Sequence, residues 1–149
     1  MSTITMVKNI KEIHPNFVLC FKIGNFYHCY GKDAYIISYL FDYNLSKVKD
    51  GISTCGFPRN SITKVMARLE QRKLNYITFD TKNEYDIEEK QDFKNLNTYE
   101  EMYKKANKYL RIKKKIESIE EYLLENIENE ETIEKLRKIE NIENIVYEI

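Results

Sequence analysis

The sequence FVLCFKIGNFYHCY, residues 17–30, decides the fold of this chain. Both halves are rich in β-branched and aromatic residues, and the first half places apolar side chains at every second position, as strands do. Gly24-Asn25 between them is a turn signal, so the stretch predicts a β-hairpin or a sharply bent strand. His14-Pro15 ends a short helical stretch before it, because the residue preceding proline is displaced from the helical region.

Helix and strand patterns alternate after this hairpin. Residues 33–42 predict a helix with Asp33 as its cap, and residues 52–57 predict a short buried strand. A helix with one apolar face is expected from Asn60 or Ser61 to Lys73, followed by a strand at 74–79. The order of elements predicts an α/β (α+β) fold over residues 1–82.

The composition changes after residue 82. Charged and amide residues dominate residues 83–97 without clear periodicity, so this segment is expected to be a polar linker or variable segment. Thr98-Tyr-Glu-Glu101 has the arrangement of a capping box. Apolar residues then recur at three- and four-residue steps, as in a coiled coil. They are Met102, Ala106, Tyr109, Ile112, Ile116, Ile119 and Leu123.

A break near residues 126–131 separates this stripe from a second apolar set at Ile133, Leu136 and Ile139. Residues 98–149 are therefore predicted to form a helical hairpin or coiled-coil-like extension. The pattern makes no prediction for the conformation of residues 142–149. Such a stripe is core or interface packing, which makes the extension a candidate for self-association or a protein partner. The lysines and arginines between residues 104 and 115 are expected to form a solvated face.

Length and composition limit the class of protein. A chain of 149 residues with 42% hydrophobic residues suits one domain plus an appendage. No secretory signal or membrane-spanning run occurs, so we expect a cytoplasmic protein with no membrane contact. Three cysteines without Cys-x-x-Cys spacing argue against a disulfide framework and against a structural zinc site.

The net charge of zero conceals a division along the chain. Residues 1–75 contain eleven Lys or Arg and five Asp or Glu, which gives this half +6 and the remainder −6. A basic half joined to an acidic half is compatible with a nucleic-acid-facing domain and a solvated tail. Ordinary solvated surface explains the charge division equally well.

Several spaced motifs resemble one family. His14-Pro15, Phe21-Lys-Ile-Gly-Asn-Phe-Tyr27 and Gly31-Lys-Asp-Ala34 resemble the opening of MutS domain I, the mismatch-recognition domain of MutS DNA repair proteins. Leu45-Ser-Lys47 and Cys55-Gly-Phe-Pro58 resemble later landmarks of the same domain. The resemblance covers roughly residues 8 to 80 and rests on ordered landmarks. It implies a mixed sheet and a stand-alone domain that binds mismatched or distorted duplex DNA.

The resemblance also implies roles for individual residues. Phe26 stands at the position of the aromatic wedge that enters the minor groove beside a mispaired base. His28 replaces the family's glutamate and Asn25 its aspartate, and on an extended segment Phe26 and His28 face the same way. The remaining candidate DNA contacts are cations for phosphate, and they are Lys22, Lys32, Lys47, Lys49 and Arg59.

No motif of the sequence predicts catalysis. The four glycines form no phosphate-binding loop, so no nucleotide is expected, and no catalytic or metal-ligand spacing occurs, so we expect neither enzyme activity nor a cofactor. One alternative is a protein-interaction or regulatory scaffold that has lost mismatch recognition, favoured by His28 and the acidic second half. A weaker alternative is a nuclease or another enzyme with an α/β core, which would need two or more carboxylates converging with a lysine at a cleft.

The exposure of Phe26 distinguishes a residue that contacts a ligand from a residue that only packs in the core. In an aromatic-rich hairpin, a phenylalanine is often part of the core and a histidine is often a hydrogen-bonded structural residue. A Phe26 exposed at the tip of a basic concavity would instead favour contact with a ligand.

Overall fold

The computed structural model describes the backbone of residues 2–148 and the side chains of residues 2–143. The chain forms two compact units, Met1–Leu110 and Arg111–Ile149, whose boundary falls inside one long helix. In the described part of the chain, no helix is long and apolar enough to cross a membrane. The α-helices are α1 (Thr3–Ile13), α2 (Lys32–Phe41), α3 (Ile62–Gln71), α4 (Thr98–Glu125) and α5 (Glu130–Glu148). The strands are β1 (Val18–Ile23), β2 (Phe26–Tyr30), β3 (Ser46–Lys47), β4 (Ser53–Pro58), β5 (Tyr76–Asp80) and β6 (Asp86–Gln91).

The six strands form one mixed sheet in the order β3-β4-β2-β1-β5-β6. Strands β1 and β5 pair in parallel, while all the other neighbours pair antiparallel. Of the two alternatives predicted for residues 17–30, a hairpin or a sharply bent strand, the structure has the hairpin β1–β2, with Ile23 opposite Phe26. Gly24, at φ +62°, takes the left-handed conformation that this two-residue turn requires. The predicted α/β class with a mixed sheet is thus confirmed.

One face of the sheet, which we call the back face, carries Cys20, Tyr27, Cys29 and Phe57. These side chains pack with apolar residues of α2, α3 and the first turns of α4, including Ile37, Val65, Leu69, Met102 and Ala106. All three cysteines lie in this core as free thiols, with the sulfurs of Cys20 and Cys29 3.4 Å apart. The first residues of the apolar stripe predicted on residues 102–123, Met102 and Ala106, therefore belong to the core of the first unit.

The opposite face, which we call the front face, carries Phe21, Phe26, His28 and Tyr30. Helix α1 packs against its β1–β5 side, where Val7 joins a cluster with Phe21, Phe79 and their neighbours. Phe21 and Phe79 are stacked with ring centroids 5.0 Å apart. On the β2–β4 side of the front face, Phe26, Gly56 and Pro58 are exposed. The front face is therefore covered at one side and accessible at the other.

Asp33 was expected to cap α2, and this expectation is wrong. Gly31 occupies the cap position without a side-chain hydrogen bond, and Asp33 is buried. Its carboxylate accepts hydrogen bonds from Lys11 Nζ (2.8 Å), from the backbone N–H of Leu19 (3.2 Å) and from the Tyr99 hydroxyl. Burial raises the pKa of Asp33, while Lys11 and the other donors act to lower it. Asp33 thus connects α2 to α1, β1 and α4.

Residues 83–97 differ from the linker or variable segment expected there. They contain β6, which pairs antiparallel with β5 along the edge of the sheet. Five of its six residues are exposed, so the strand has no buried face and no apolar alternation that sequence patterns detect. Charged side chains are common on edge strands because they discourage pairing with other chains. The first compact unit therefore extends past residue 82 and includes β6 and the start of α4.

The second unit consists of the end of α4 and α5, which contact each other. Lys135 Nζ lies 4.8 Å from the ring centroid of Tyr122 and donates a hydrogen bond to its hydroxyl at 3.3 Å. An apolar cleft of about 380 Å³ between the helices contains Leu123, Ile127 and Leu136. These contacts agree with the helical hairpin predicted for the extension. Helix α5 continues to Glu148 through the segment left open above, and Ile149 lies outside the described residues.

Replacing Asp33 by Asn should destabilise the first unit. The variant keeps the shape of the side chain but leaves the ammonium of Lys11 without its ion pair and directs an amide toward donors. Breaking such a buried pair costs several kcal/mol, and because Lys11 is partly exposed we expect a loss of about 2 kcal/mol in the free energy of unfolding. Urea denaturation of the parent protein and the variant measures this difference in the free energy of unfolding. Lys32→Gln, which breaks the exposed pair with Glu100, should change it by less than about 0.5 kcal/mol, and equal effects would contradict the central role of Asp33.

Candidate nucleic-acid interface

Phe26 lies at the first position of β2, directly after the hairpin turn. Its partners across the sheet are Ile23 and Pro58, and 48% of its surface is exposed. The ring lines a concavity of about 650 Å³. A half-exposed phenylalanine in the lining of a concavity is positioned to contact a ligand, and it contributes little to the core. The concavity is lined by Lys22, Asn25, Phe26, Tyr27, Pro58, Arg59, Asn60, Ile62 and Glu88.

Arg59 and Asn25 are brought to the same concavity by the end of β4. The backbone N–H of Arg59 donates to the carbonyl of Asn25 at 2.9 Å, which ties the hairpin tip to the segment after Pro58. Both side chains are exposed. Three of the residues predicted from the sequence, Asn25, Phe26 and Arg59, therefore surround one opening, with an amide and a guanidinium beside an aromatic ring.

Lys22 also lines the concavity, but its charge is neutralised. Its ammonium lies 2.8 Å from a carboxylate oxygen of Glu88 and 3.4 Å from one of Asp80, and only 13% of the side chain is exposed. The hydrogen bond to Glu88 is the largest cause of a raised pKa at Lys22. Lys22 therefore holds Glu88 and Asp80 beside the concavity and contributes little net positive potential to it.

Tyr27 and Glu88 complete this part of the site, and the sequence analysis missed both. The Tyr27 hydroxyl donates to Glu88 at 3.2 Å, and burial, followed by the nearby Glu88 charge, raises the pKa of Tyr27 to about 12. Glu88 belongs to β6, the strand without an apolar pattern, so no sequence signal placed it near Phe26. A smaller recess of about 360 Å³ adjoins, and Asp80 and Lys82 line it together with Asn25 and Arg59.

His28 lies on the front face two residues beyond Phe26, as the sequence predicted. The two ring centroids are 6.4 Å apart. Gly56 is opposite His28 across the sheet, and a Cβ at this position would lie 3.2 Å from Cε1 and Nδ1 of the imidazole. Glycine here therefore leaves space for the ring to lie across β4. Burial lowers the pKa of His28, which favours the neutral form of its imidazole.

Lys32, Lys47 and Lys49 do not line the concavity, as far as the described residues show. Lys32 begins α2, forms an ion pair with Glu100 at 3.4 Å and lies over the Tyr103 ring. Lys47 is exposed on β3, at the sheet edge beyond β4, and Lys49 is exposed in the loop that follows. The predicted cations are thus distributed over the surface and do not form one cluster.

The charge around Phe26 is mixed, which differs from the basic concavity considered from the sequence. Three cations, Lys22, Arg59 and Lys82, lie near two carboxylates, Glu88 and Asp80, which both contact Lys22. Two carboxylates converging on a lysine at a cleft is the arrangement that the nuclease alternative requires. Within the described residues, however, no three His, Cys, Asp or Glu side chains are placed to hold a metal ion.

Comparison with known proteins identifies the family. Residues 2–93 match the family model of MutS domain I. Two relatives are DNA mismatch repair proteins MutS of Leptospira interrogans serogroup Icterohaemorrhagiae, from serovar copenhageni (strain Fiocruz L1-130) and serovar Lai (strain 56601). Each is 35% identical over 60 residues, which are 40% of this chain and 7% of the relative. Because the family match spans more than half of its length, the chain belongs to the MutS domain I family.

Proposed function

We propose that this chain is a non-enzymatic DNA-binding module that inserts Phe26 at mismatched or otherwise distorted sites in duplex DNA. The observation that carries the proposal is the half-exposed Phe26 ring, which lines a concavity together with Asn25 and Arg59. An inserted aromatic ring compensates for unstacking a base step, and a mispaired step costs less to kink than a paired one. The relatives are mismatch repair proteins, which supports the same substrate.

Phosphate contacts supply the affinity that accompanies this wedge. Arg59 is adjacent to the ring, and Lys47 and Lys49 are exposed on the β3 side of the sheet, so they are the candidates for contact with the flanking backbone. Lys22 acts by positioning Glu88 and Asp80 because its own charge is compensated. His28 offers a neutral imidazole in place of a carboxylate, which removes a charge repulsion with phosphate and leaves one donor and one acceptor.

Phe26→Ala should abolish the preference for mismatched over matched duplex. Removing one ring that stacks on a base costs roughly 1–3 kcal/mol, so we expect about a tenfold loss of affinity for a mismatched duplex and little change for a matched one. Fluorescence anisotropy across a salt series measures both affinities. Ile87→Ala is a matched control, since Ile87 is 51% exposed on edge strand β6 and lies outside the concavity.

Two outcomes would contradict this proposal. The first is the absence of binding to any duplex at low salt, and the second is a Phe26→Ala variant that binds the mismatched duplex like the parent protein. The same samples incubated with Mg²⁺ and resolved on a denaturing gel test the nuclease alternative. Strand cleavage that disappears in Lys22→Gln would show that the chain is a nuclease and would contradict the proposal of a non-enzymatic binding module.

Glu88→Gln should strengthen DNA binding. The substitution removes a negative charge beside Phe26 and one of the two carboxylates that neutralise Lys22, so the ammonium of Lys22 becomes available to phosphate. We expect higher affinity at low salt, and the slope of log affinity against log salt concentration should steepen by about one, the contribution of one additional phosphate contact. Glu101→Gln makes the same charge change at an exposed position of α4 and should have a smaller effect. Equal effects of the two variants would show that only net charge matters.

A second candidate function is self-association through the hairpin of α4 and α5, and exposed apolar residues favour it. Ile112, Ile116 and Ile119 are each about half exposed, at 50%, 50% and 48%, along α4. Such a stripe on a solvated helix is typical of protein interfaces. Residues 111–115 carry four cations and residues 117–125 four glutamates, so a second copy placed antiparallel would oppose unlike charges.

Sedimentation equilibrium of the full chain tests this candidate. The parent protein should show a concentration-dependent dimer, and Ile116→Lys should be monomeric at the same concentrations because a charge enters the apolar stripe. Leu96→Lys places the same charge at a residue that is 79% exposed outside the hairpin, and it should remain dimeric. A monomeric parent protein at all concentrations would rule out self-association.

A further inference from the structure

Strand β2 presents a row of three rings on the front face. Phe26, His28 and Tyr30 alternate along the strand, so they share one side of the sheet. The ring centroids of Phe26 and His28 are 6.4 Å apart, and those of His28 and Tyr30 are also 6.4 Å apart. The proposed wedge uses only the first ring, and the ring faces of His28 and Tyr30 are not part of it.

Residues of the two neighbouring strands, β1 and β4, hold the row in place. The ring of Tyr30 meets the buried Phe21 edge-on at 6.1 Å, and Phe21 is itself stacked on Phe79. The ring of His28 lies across Gly56, where a larger residue would displace it. Rings that are fixed before a ligand arrives lose little conformational freedom on binding.

The outer side of the row is accessible. Helix α1 packs on the β1–β5 side of the front face, whereas Phe26, Gly56 and Pro58 on the β2–β4 side are exposed. His28 and Tyr30 are partly exposed beside them. A ligand lying along β2 therefore meets three ring surfaces in succession, and it reaches Arg59 and Asn25 at the Phe26 end.

We propose that this row is a second binding site, which takes single-stranded nucleic acid by stacking successive unpaired bases on Phe26, His28 and Tyr30. Sheet surfaces that present two or three aromatic rings stack unpaired bases in this way, since every base has a π-face. A strand rises about 3.3 Å per residue, so alternate side chains are spaced widely enough for one base each in an extended strand. The neutral imidazole of His28 stacks without placing a carboxylate against the phosphate backbone.

The charges near the row also suit a nucleic acid. Arg59 supplies a guanidinium beside the first ring, and residues 1–75, which contain the whole row, carry more cations than acids. A cation at the end of the row can contact the phosphate that precedes or follows the stacked bases. Duplex DNA cannot use the row in the same way, because its paired bases are stacked on each other and only a kinked step admits a ring.

The test uses fluorescein-labelled 15-nucleotide oligothymidylate and oligouridylate, with matched and mismatched duplexes as comparison. Anisotropy should show binding of the single strands at low salt, and each of His28→Ala and Tyr30→Leu should weaken it by about tenfold, the effect of one lost stacking contact. Tyr30→Leu, which lies outside the residues proposed to contact duplex, should retain the affinity of the parent protein for mismatched duplex to within about twofold. A preference for one oligonucleotide identifies whether DNA or RNA is the ligand, and binding of either supports the site.

Controls separate loss of stacking from loss of folding. Tyr85→Leu removes another tyrosine that meets Phe21 edge-on, at 6.3 Å, but lies outside the row, and it should bind single strands like the parent protein. Gly56→Val displaces the His28 ring without removing it and should weaken single-strand binding as His28→Ala does. Thermal melting of each variant establishes that it is folded at the assay temperature.

The results distinguish this site from the proposed wedge. Unchanged single-strand binding in folded His28→Ala and Gly56→Val would overturn the row, and so would the absence of binding to both oligonucleotides. Neither result affects the mismatch preference that depends on Phe26. Conversely, single-strand binding that depends on His28, together with no preference for mismatched duplex, would support the row and overturn the wedge.

Discussion

The buried carboxylate of Asp33 is the constraint on which the first unit depends. It accepts hydrogen bonds from Lys11 of α1, from the backbone of Leu19 in β1 and from Tyr99 of α4. A carboxylate removed from water is costly unless it is paired and hydrogen-bonded, so these partners must remain together. Because Tyr99 lies 66 residues after Asp33, one side chain links α1 and β1 at the start of the chain to helix α4.

This arrangement also determines which surfaces of the sheet remain available. Helices α2, α3 and α4 cover the back face, and α1 covers the β1–β5 side of the front face. The β2–β4 side of the front face is left with exposed Phe26, Gly56 and Pro58. Both proposed binding modes use this region: Phe26 enters a distorted duplex at the hairpin tip, and the row along β2 accepts unpaired bases.

The electrostatic character of the site comes from pairing across the sheet. Lys22 of β1 meets Asp80 of β5 and Glu88 of β6, so a cation that stands out in a basic segment contributes little free charge. Arg59 is in a different position, since its backbone is bound to Asn25 while its side chain is exposed beside Phe26. An estimate of DNA affinity from the count of lysines and arginines would therefore overstate the role of Lys22.

The sequence by itself determined two strand segments joined by a turn at Gly24-Asn25, the order of helices and strands to β5 apart from β3, and the common face of Phe26 and His28. Each depends on local periodicity or on a turn signal, which neighbouring residues encode. Only the tertiary structure decided that Asp33 is buried and does not cap α2, that β6 forms an edge of the sheet, and that Glu88 neutralises Lys22. Those outcomes depend on residues far apart in the chain, and an exposed edge strand has no apolar pattern to reveal it. The physical reason is that burial and charge pairing are set by which segments meet in space, and local sequence does not contain that information.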